Sequence, residues 1–343
     1  MTRSRGRRGR GPLALSAAAV ALAAVLASAL VTGCSPTAIE RASGEAEEPA
    51  RPLTVQEARR AFDAFSDNTD VARASGDERL ALQYVTDGQA QLTAAAFRRA
   101  AYVGEPLPRY RYTSPRLFVP RTGTYPRWFV AAAKRTGDGQ TRTAVLVFTR
   151  MEPGERWKVS LITLLDKGEK LPVPVIDRSG FASALRTDEQ GLVLEPKMVG
   201  AMHATLAEDG PESQATRVME PGKHTSDNAA KIEKSKERAD DAGLAYDAIF
   251  SAPRQPSFAL RTRDGGALVL YPLAFDTVVV AKSEDVDRVP VPQEVQHLLE
   301  KLILKEELDV IELYQYAAYN PPKGKGRARV LGAEGTVVKA DGE

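Results

Sequence analysis

The pattern of apolar and polar positions changes several times along the 343 residues of this chain. Residues 12–31, "PLALSAAAVALAAVLASALV", form one uncharged apolar run. Residues 34–52 hold Ile39 as their single large aliphatic side chain, too little to bury, and predict a flexible tether. From Leu53 the period becomes helical. Val55, Ala58, Phe62, Phe65 and Val71 recur along one face, and Thr54 with Glu57 three positions later forms a capping box. Further helices are expected near 77–86 and 89–102, striped by Leu80, Tyr84, Leu92 and Phe97.

After "GEPLP" (104–108) the period shortens to two. "RYRYTSPRLFVP", "RWFVAAAKR", "TRTAVLVFTR" and "RWKVSLITLL" read as strands, with turn signals at "TGDGQ" (136–140) and "EPGE" (152–155). They predict an antiparallel meander. In the run 141–150, Val145 and Val147 take one face and Leu146 and Phe148 the other, so that strand is expected to be covered on both sides. Residues 171–193, with the Pro-containing "KLPVPVIDRSG" at their start, read as a connector.

The second half repeats the order. "EPKMVGAMHATLAEDG" is a predicted helix with Pro196 early in it, and "HTSDNAAKIEKSKERADDAG" (224–243) a solvated one. Strands follow at "AYDAIFS", "SFALRT", "GALVLYPLAF", "FDTVVVAKS", "ELDVIELYQYAAYN" and "RARVLGAEGTVVKA". "RDGGA" (263–267) marks a hairpin. Residues 292–305 are expected as an amphipathic helix that turns Val295, Leu298, Leu299, Leu302 and Ile303 inward. The fold class is therefore α+β, as two consecutive domains of helices followed by a curved antiparallel sheet. The expected boundaries are 1–33 signal peptide, 34–52 tether, 53–170 first domain, 171–193 connector and 194–343 second domain.

Composition sharpens the N-terminal reading. The formal net charge is +2. Residues 1–33 contribute +5 through Arg3, Arg5, Arg7, Arg8 and Arg10, and +2 less +5 leaves −3 on the rest. A mildly acidic body gives no electrostatic reason to bind nucleic acid. A basic start followed by an apolar run is the layout of a secretory signal. The single cysteine, Cys34, excludes an internal disulfide and a thiolate zinc cluster. The three histidines, His203, His224 and His297, lie in no metal-ligand frame, and no cofactor motif is present.

Val31-Thr32-Gly33-Cys34 resembles the lipobox of bacterial lipoproteins. The resemblance implies cleavage between Gly33 and Cys34 and a lipid on the Cys34 sulfur, with acyl chains such as palmitate holding the body to the outer face of the cell membrane. Two chains suffice for stable anchoring. Helices followed by long antiparallel strands, closing with "RWKVSLITLL", resemble the nuclear-transport-factor-2-like fold, which implies a cone-like first sheet. The lipobox, the Ala/Arg-rich composition, "ALRTRDGGALVLY" and "ARVLGAEGTVV" together resemble uncharacterised actinobacterial lipoproteins with a domain of unknown function.

Candidate chemistry is sparse. Asp63, Asp67 and Asp70 share a helix face, Asp166 ends a strand, and all four are expected to meet solvent. His203, beside Met198 and Met202, is expected in a core, and "KGKGRAR" (323–329) in a solvated loop. Tyr110 with Tyr112, and Tyr314 with Tyr316, lie at period two and are candidates to line a pocket. The expectation is a non-catalytic, membrane-anchored, extracytoplasmic module that binds an envelope protein or serves structurally. The alternative is a carrier or enzyme that holds a small apolar ligand in a cone-shaped pocket.

Overall fold

The computed structural model describes residues 52–137 and 139–343. The expected signal peptide, the Val31-Thr32-Gly33-Cys34 motif and nearly all of the tether lie outside the described residues. The described residues pack as one compact unit.

The first half opens with α1 (Val55–Ser75), α2 (Glu78–Leu82) and α3 (Asp87–Val103). The capping box at Thr54 and Glu57 is formed, and Gly76 ends α1 in the left-handed region at φ 69°. A four-stranded antiparallel meander follows, in the order β1 (Arg111–Phe118), β2 (Arg127–Gly137), β3 (Gln140–Arg150), β4 (Lys158–Leu164). The second half has α4 (Met198–Asp209) and α5 (Asp227–Asp241), then β5 (Leu244–Ser251), β6 (Phe258–Arg261), β7 (Ala267–Ala281), β8 (Glu307–Asn320) and β9 (Arg329–Gly342). Its sheet runs β5-β7-β8-β9, with β6 pairing the start of β7. The chain is thus α+β, with two antiparallel sheets, each preceded by helices.

The faces of the strands explain how the halves meet. Leu146 and Phe148 of β3 pack on Phe62 and Phe65 of α1, with Phe129 and Phe148 stacked 4.5 Å apart. Val145 and Val147, on the opposite face, join Leu268 and Leu270 of β7 in a second core. The alternate residues of β7, Val269, Tyr271 and Leu273, face Val199 and Leu206 of α4. Helix, sheet, sheet and helix are therefore stacked, and β3 and β7 are apolar on both faces because both are covered. Residues 171–193 stitch the two halves: Ala182 bridges to Pro120 and Ala184 to Leu260.

The edge of β4 is closed as well. Val85 bridges to Val159, Gln315 of β8 accepts from Ile162 N–H at 2.7 Å and donates to Ser160 C=O at 3.3 Å, and Leu165 bridges to Gly332 of β9. No open ladder is left there to pair with another chain.

Two expectations are corrected. "GALVLYPLAF" and "FDTVVVAKS" are one 15-residue strand, β7, rather than two. Pro272 is tolerated inside it because it sits where the partner changes, between Leu270, opposite Phe258 at the start of β6, and Ala274, opposite Ser251 at the end of β5. Residues 292–305 are not a helix: only Gln296–Leu298 makes a 3₁₀ turn. Pro290 and Pro292 hold the entry extended, and Val289 bridges to Leu304. Val295 and Leu304 are buried at the end of the second sheet, whereas Leu302 and Ile303 are exposed.

Candidate functional site

The two tyrosine pairs line two different cavities. The first has a volume of about 350 Å³ and lies between α1, α3, the approach to β1, and β9. Tyr110 is held there between two guanidinium groups, Arg73 at 4.6 Å and Arg135 at 4.2 Å from its ring centroid. Tyr112 meets Phe62 edge-on at 6.1 Å, and desolvation pushes its phenol above the usual range. Arg135 donates to both carboxylate oxygens of Glu334, at 2.9 and 3.1 Å, so this wall is an ion pair joining β2 to β9. Asp70 lines the same cavity, paired with Arg109 at 2.8 Å, and the hydrogen bond from Arg109 holds its carboxyl below the usual range. Asp63 pairs with Arg59 on the surface, and Asp67 is exposed.

The second cavity, about 580 Å³, lies between the start of α5 and the adjoining face of the second sheet. Tyr314 and Tyr316 of β8 form part of its floor, with ring centroids 6.1 Å apart. Glu312, two residues earlier on the same strand, accepts a hydrogen bond from the Tyr314 hydroxyl at 2.5 Å. The strand period places Glu312, Tyr314 and Tyr316 on one face, a signal present in "IELYQYA" and unused in the sequence reading.

Behind this floor is a buried polar network. His203 is fully enclosed. Its Nε2 meets the His224 carbonyl, which can only accept, so the proton is on Nε2, and Nδ1 accepts from the Tyr271 hydroxyl at 2.9 Å. Desolvation pushes its pKa down to about 4, which keeps the ring neutral. The expected core histidine is there, though tied by hydrogen bonds and not by packing alone.

Asp166 follows β4 and sits among basic side chains: the cations Lys223 at 2.8 Å and Arg142 at 3.6 Å, and His224 at 2.9 Å, whose pKa burial lowers. Burial pushes its carboxyl up, but hydrogen bonds from Lys223 and His224 outweigh that and hold it below the usual range. It is 18% exposed, so the expectation of a solvent-facing group is corrected: Asp166 ties β3 and β4 to the start of α5. The loop 323–329 between β8 and β9 is exposed over 323–327, as expected. Among the described residues no cluster of His, Cys, Asp and Glu could hold a metal ion, and no helix is long and apolar enough to cross a membrane.

The chain is 28% identical over 334 residues to an uncharacterized lipoprotein of Streptomyces coelicolor, a match covering 95% of each chain. It is 29% identical over 276 residues to an uncharacterized lipoprotein of Streptomyces avermitilis, covering 79% of this chain and 78% of the relative. No solved structure matches. A family model described as a domain of unknown function, DUF8094, matches residues 49–342, the whole of the layered body with both cavities, and the chain belongs to that family.

Proposed function

We propose that this protein is a lipoprotein anchored through Cys34 to the outer face of the cell membrane, where its folded body acts as a non-catalytic binding or structural module of the envelope. The observation that carries the reading is the conjunction of Val31-Thr32-Gly33-Cys34, with the sole cysteine, and a relative named a lipoprotein over 95% of the chain. The site chemistry favours binding over catalysis. His203 has both ring nitrogens engaged and stays neutral, and Asp166 is committed to Lys223, Arg142 and His224. Neither group is placed to exchange a proton with a ligand. The partner class is an envelope protein or a small ligand, with no role for nucleic acid.

The second reading, a carrier or enzyme for a small apolar ligand, draws on the 350 Å³ cavity lined by Tyr110 and Tyr112.

Membrane fractionation of wild type against Cys34→Ala tests the anchor. Wild type should sediment with membranes and begin at a lipid-modified Cys34, and Cys34→Ala should lose that modification and partition to the soluble fraction or retain its signal. Equal retention with the same unmodified N-terminus would exclude lipidation.

A further inference from the structure

The second cavity is unusual in what covers its floor. Tyr246 and Phe250 of β5, Phe275 of β7, and Tyr314 and Tyr316 of β8 all line it. Phe250 and Phe275 stack at 4.4 Å, and Tyr314 and Tyr316 form a second pair at 6.1 Å. One carboxylate, that of Glu312, stands among them. It is half-buried and accepts from the Tyr314 hydroxyl, and among the described residues no Lys, Arg or His lies within ion-pair distance of it.

The other charges at the cavity are paired or stand at its exposed rim. Glu334 is neutralised from behind by Arg135, Lys223 is held by Asp166 at 2.8 Å, and Lys231, exposed at the rim, is held by Asn228 at 3.0 Å. Lys231 keeps its charge, because Asn228 is neutral, but it is exposed at the rim; among the half-buried groups of the floor Glu312 is a carboxylate with no cation paired to it. The face of an aromatic ring attracts a cation, most strongly where water is excluded, and a carboxylate beside it adds to that attraction.

We propose that this cavity is a binding site for a small organic cation, a quaternary ammonium or protonated amine seated on the tyrosine and phenylalanine faces with Glu312 as its counter-charge. The proposal rests on reading the folded body as a binding module and gives that module a ligand class. The volume, about 580 Å³, is that of a small-molecule site and exceeds what one ammonium group needs, so a substituent or headgroup fits beside the charge.

The test compares choline with its neutral carbon isostere, 3,3-dimethyl-1-butanol, by calorimetry on the full-length Cys34→Ala chain in non-ionic detergent. Choline should bind about tenfold or more tighter than the isostere, and Glu312→Gln should lower choline affinity by about tenfold. Glu312→Asp, which keeps the charge, should restore most of that loss. Phosphatidylcholine vesicles offered to the same chain separate two sources of the cation. Capture that free choline competes away identifies a lipid headgroup, and choline binding without capture identifies a free solute; both support the site.

Equal affinity for choline and the isostere would overturn the cation site and leave an apolar-ligand module. Absence of binding by either at about 10 mM would overturn it as a small-ligand site. If Glu312→Gln fails to fold, the wild-type comparison of choline with its isostere still decides. The anchor is read separately by the fractionation of wild type against Cys34→Ala, so the two failures are distinguishable.

Discussion

His203 carries a charge-sensitive part of the fold in one ring. With Nε2 donating to the His224 carbonyl and Nδ1 accepting from Tyr271, a second proton would displace the tyrosine hydrogen bond and place a cation in a fully enclosed site. The folded pKa of about 4 lies below the unfolded value of about 6.5, so the unfolded chain binds more protons between them. The stability from this group is complete above the unfolded value and is lost as pH falls towards 4, about 3 kcal/mol in all. Urea unfolding of wild type and His203→Gln at pH 7.5 and pH 4 should show the wild type losing about 3 kcal/mol more than the variant over that interval. Parallel losses would place the acid sensitivity elsewhere. The burial of His203 was expected from its place on an apolar helix, and Val199, one turn before it, is buried with it, whereas Met198 is exposed. The role of Asp166 was not: its partners Lys223 and His224 lie 57 and 58 positions away, and no local pattern encodes a contact of that range.

Elements were readable where their period was strong and their termini carried turn or cap chemistry. The capping box of α1, the β2–β3 turn and the hairpin before β7 are fixed by residues within a few positions of one another. Residues 292–305 failed for a physical reason: Val295, Leu298, Leu299, Leu302 and Ile303 have helical spacing, but two prolines and the bridge from Val289 to Leu304 hold the segment across the sheet end. Tertiary packing overrode a local periodicity. The contact of β9 with β4 was equally invisible, and it makes a sharp prediction. A Cβ added at Gly332 would lie 2.1 Å from the Leu164 carbonyl oxygen and 2.6 Å from Leu165 Cα, both backbone atoms that cannot swing aside. Gly332→Ala should therefore part the strands and cost about 3 kcal/mol. Gly123→Ala, where a Cβ meets nothing within 4 Å, should change stability by less than about 0.5 kcal/mol. Thermal unfolding of the two variants side by side checks both, and equal midpoints would mean that β9 can shift freely against β4.

At the scale of the whole molecule, the faces of β3 announced that something covers both its sides, while leaving open what does so. The answer is that each sheet covers the other, and the halves share a core that neither could close alone. Gln315 is the polar pin of that junction. It projects from β8, is 1% exposed, and satisfies both Ile162 N–H and Ser160 C=O on the edge of β4. Gln315→Leu keeps the volume but strands these two buried backbone groups, which should cost about 2–3 kcal/mol. Because the lost bonds join the halves, the loss should fall on both together. Trp128 and Trp157 are the only tryptophans and both belong to the first half, with Trp128 also meeting Phe258 of β6 at 5.2 Å, so their fluorescence follows the first half and the junction. Hydrogen exchange of β7 and β8 follows the second half. In wild type the two probes should give one unfolding midpoint in urea, and in Gln315→Leu both should move down by the same amount. A variant whose fluorescence midpoint falls while β7 and β8 keep their protection would mean that the second sheet is stable without the first, and that the shared core adds to two independent folds without making them one.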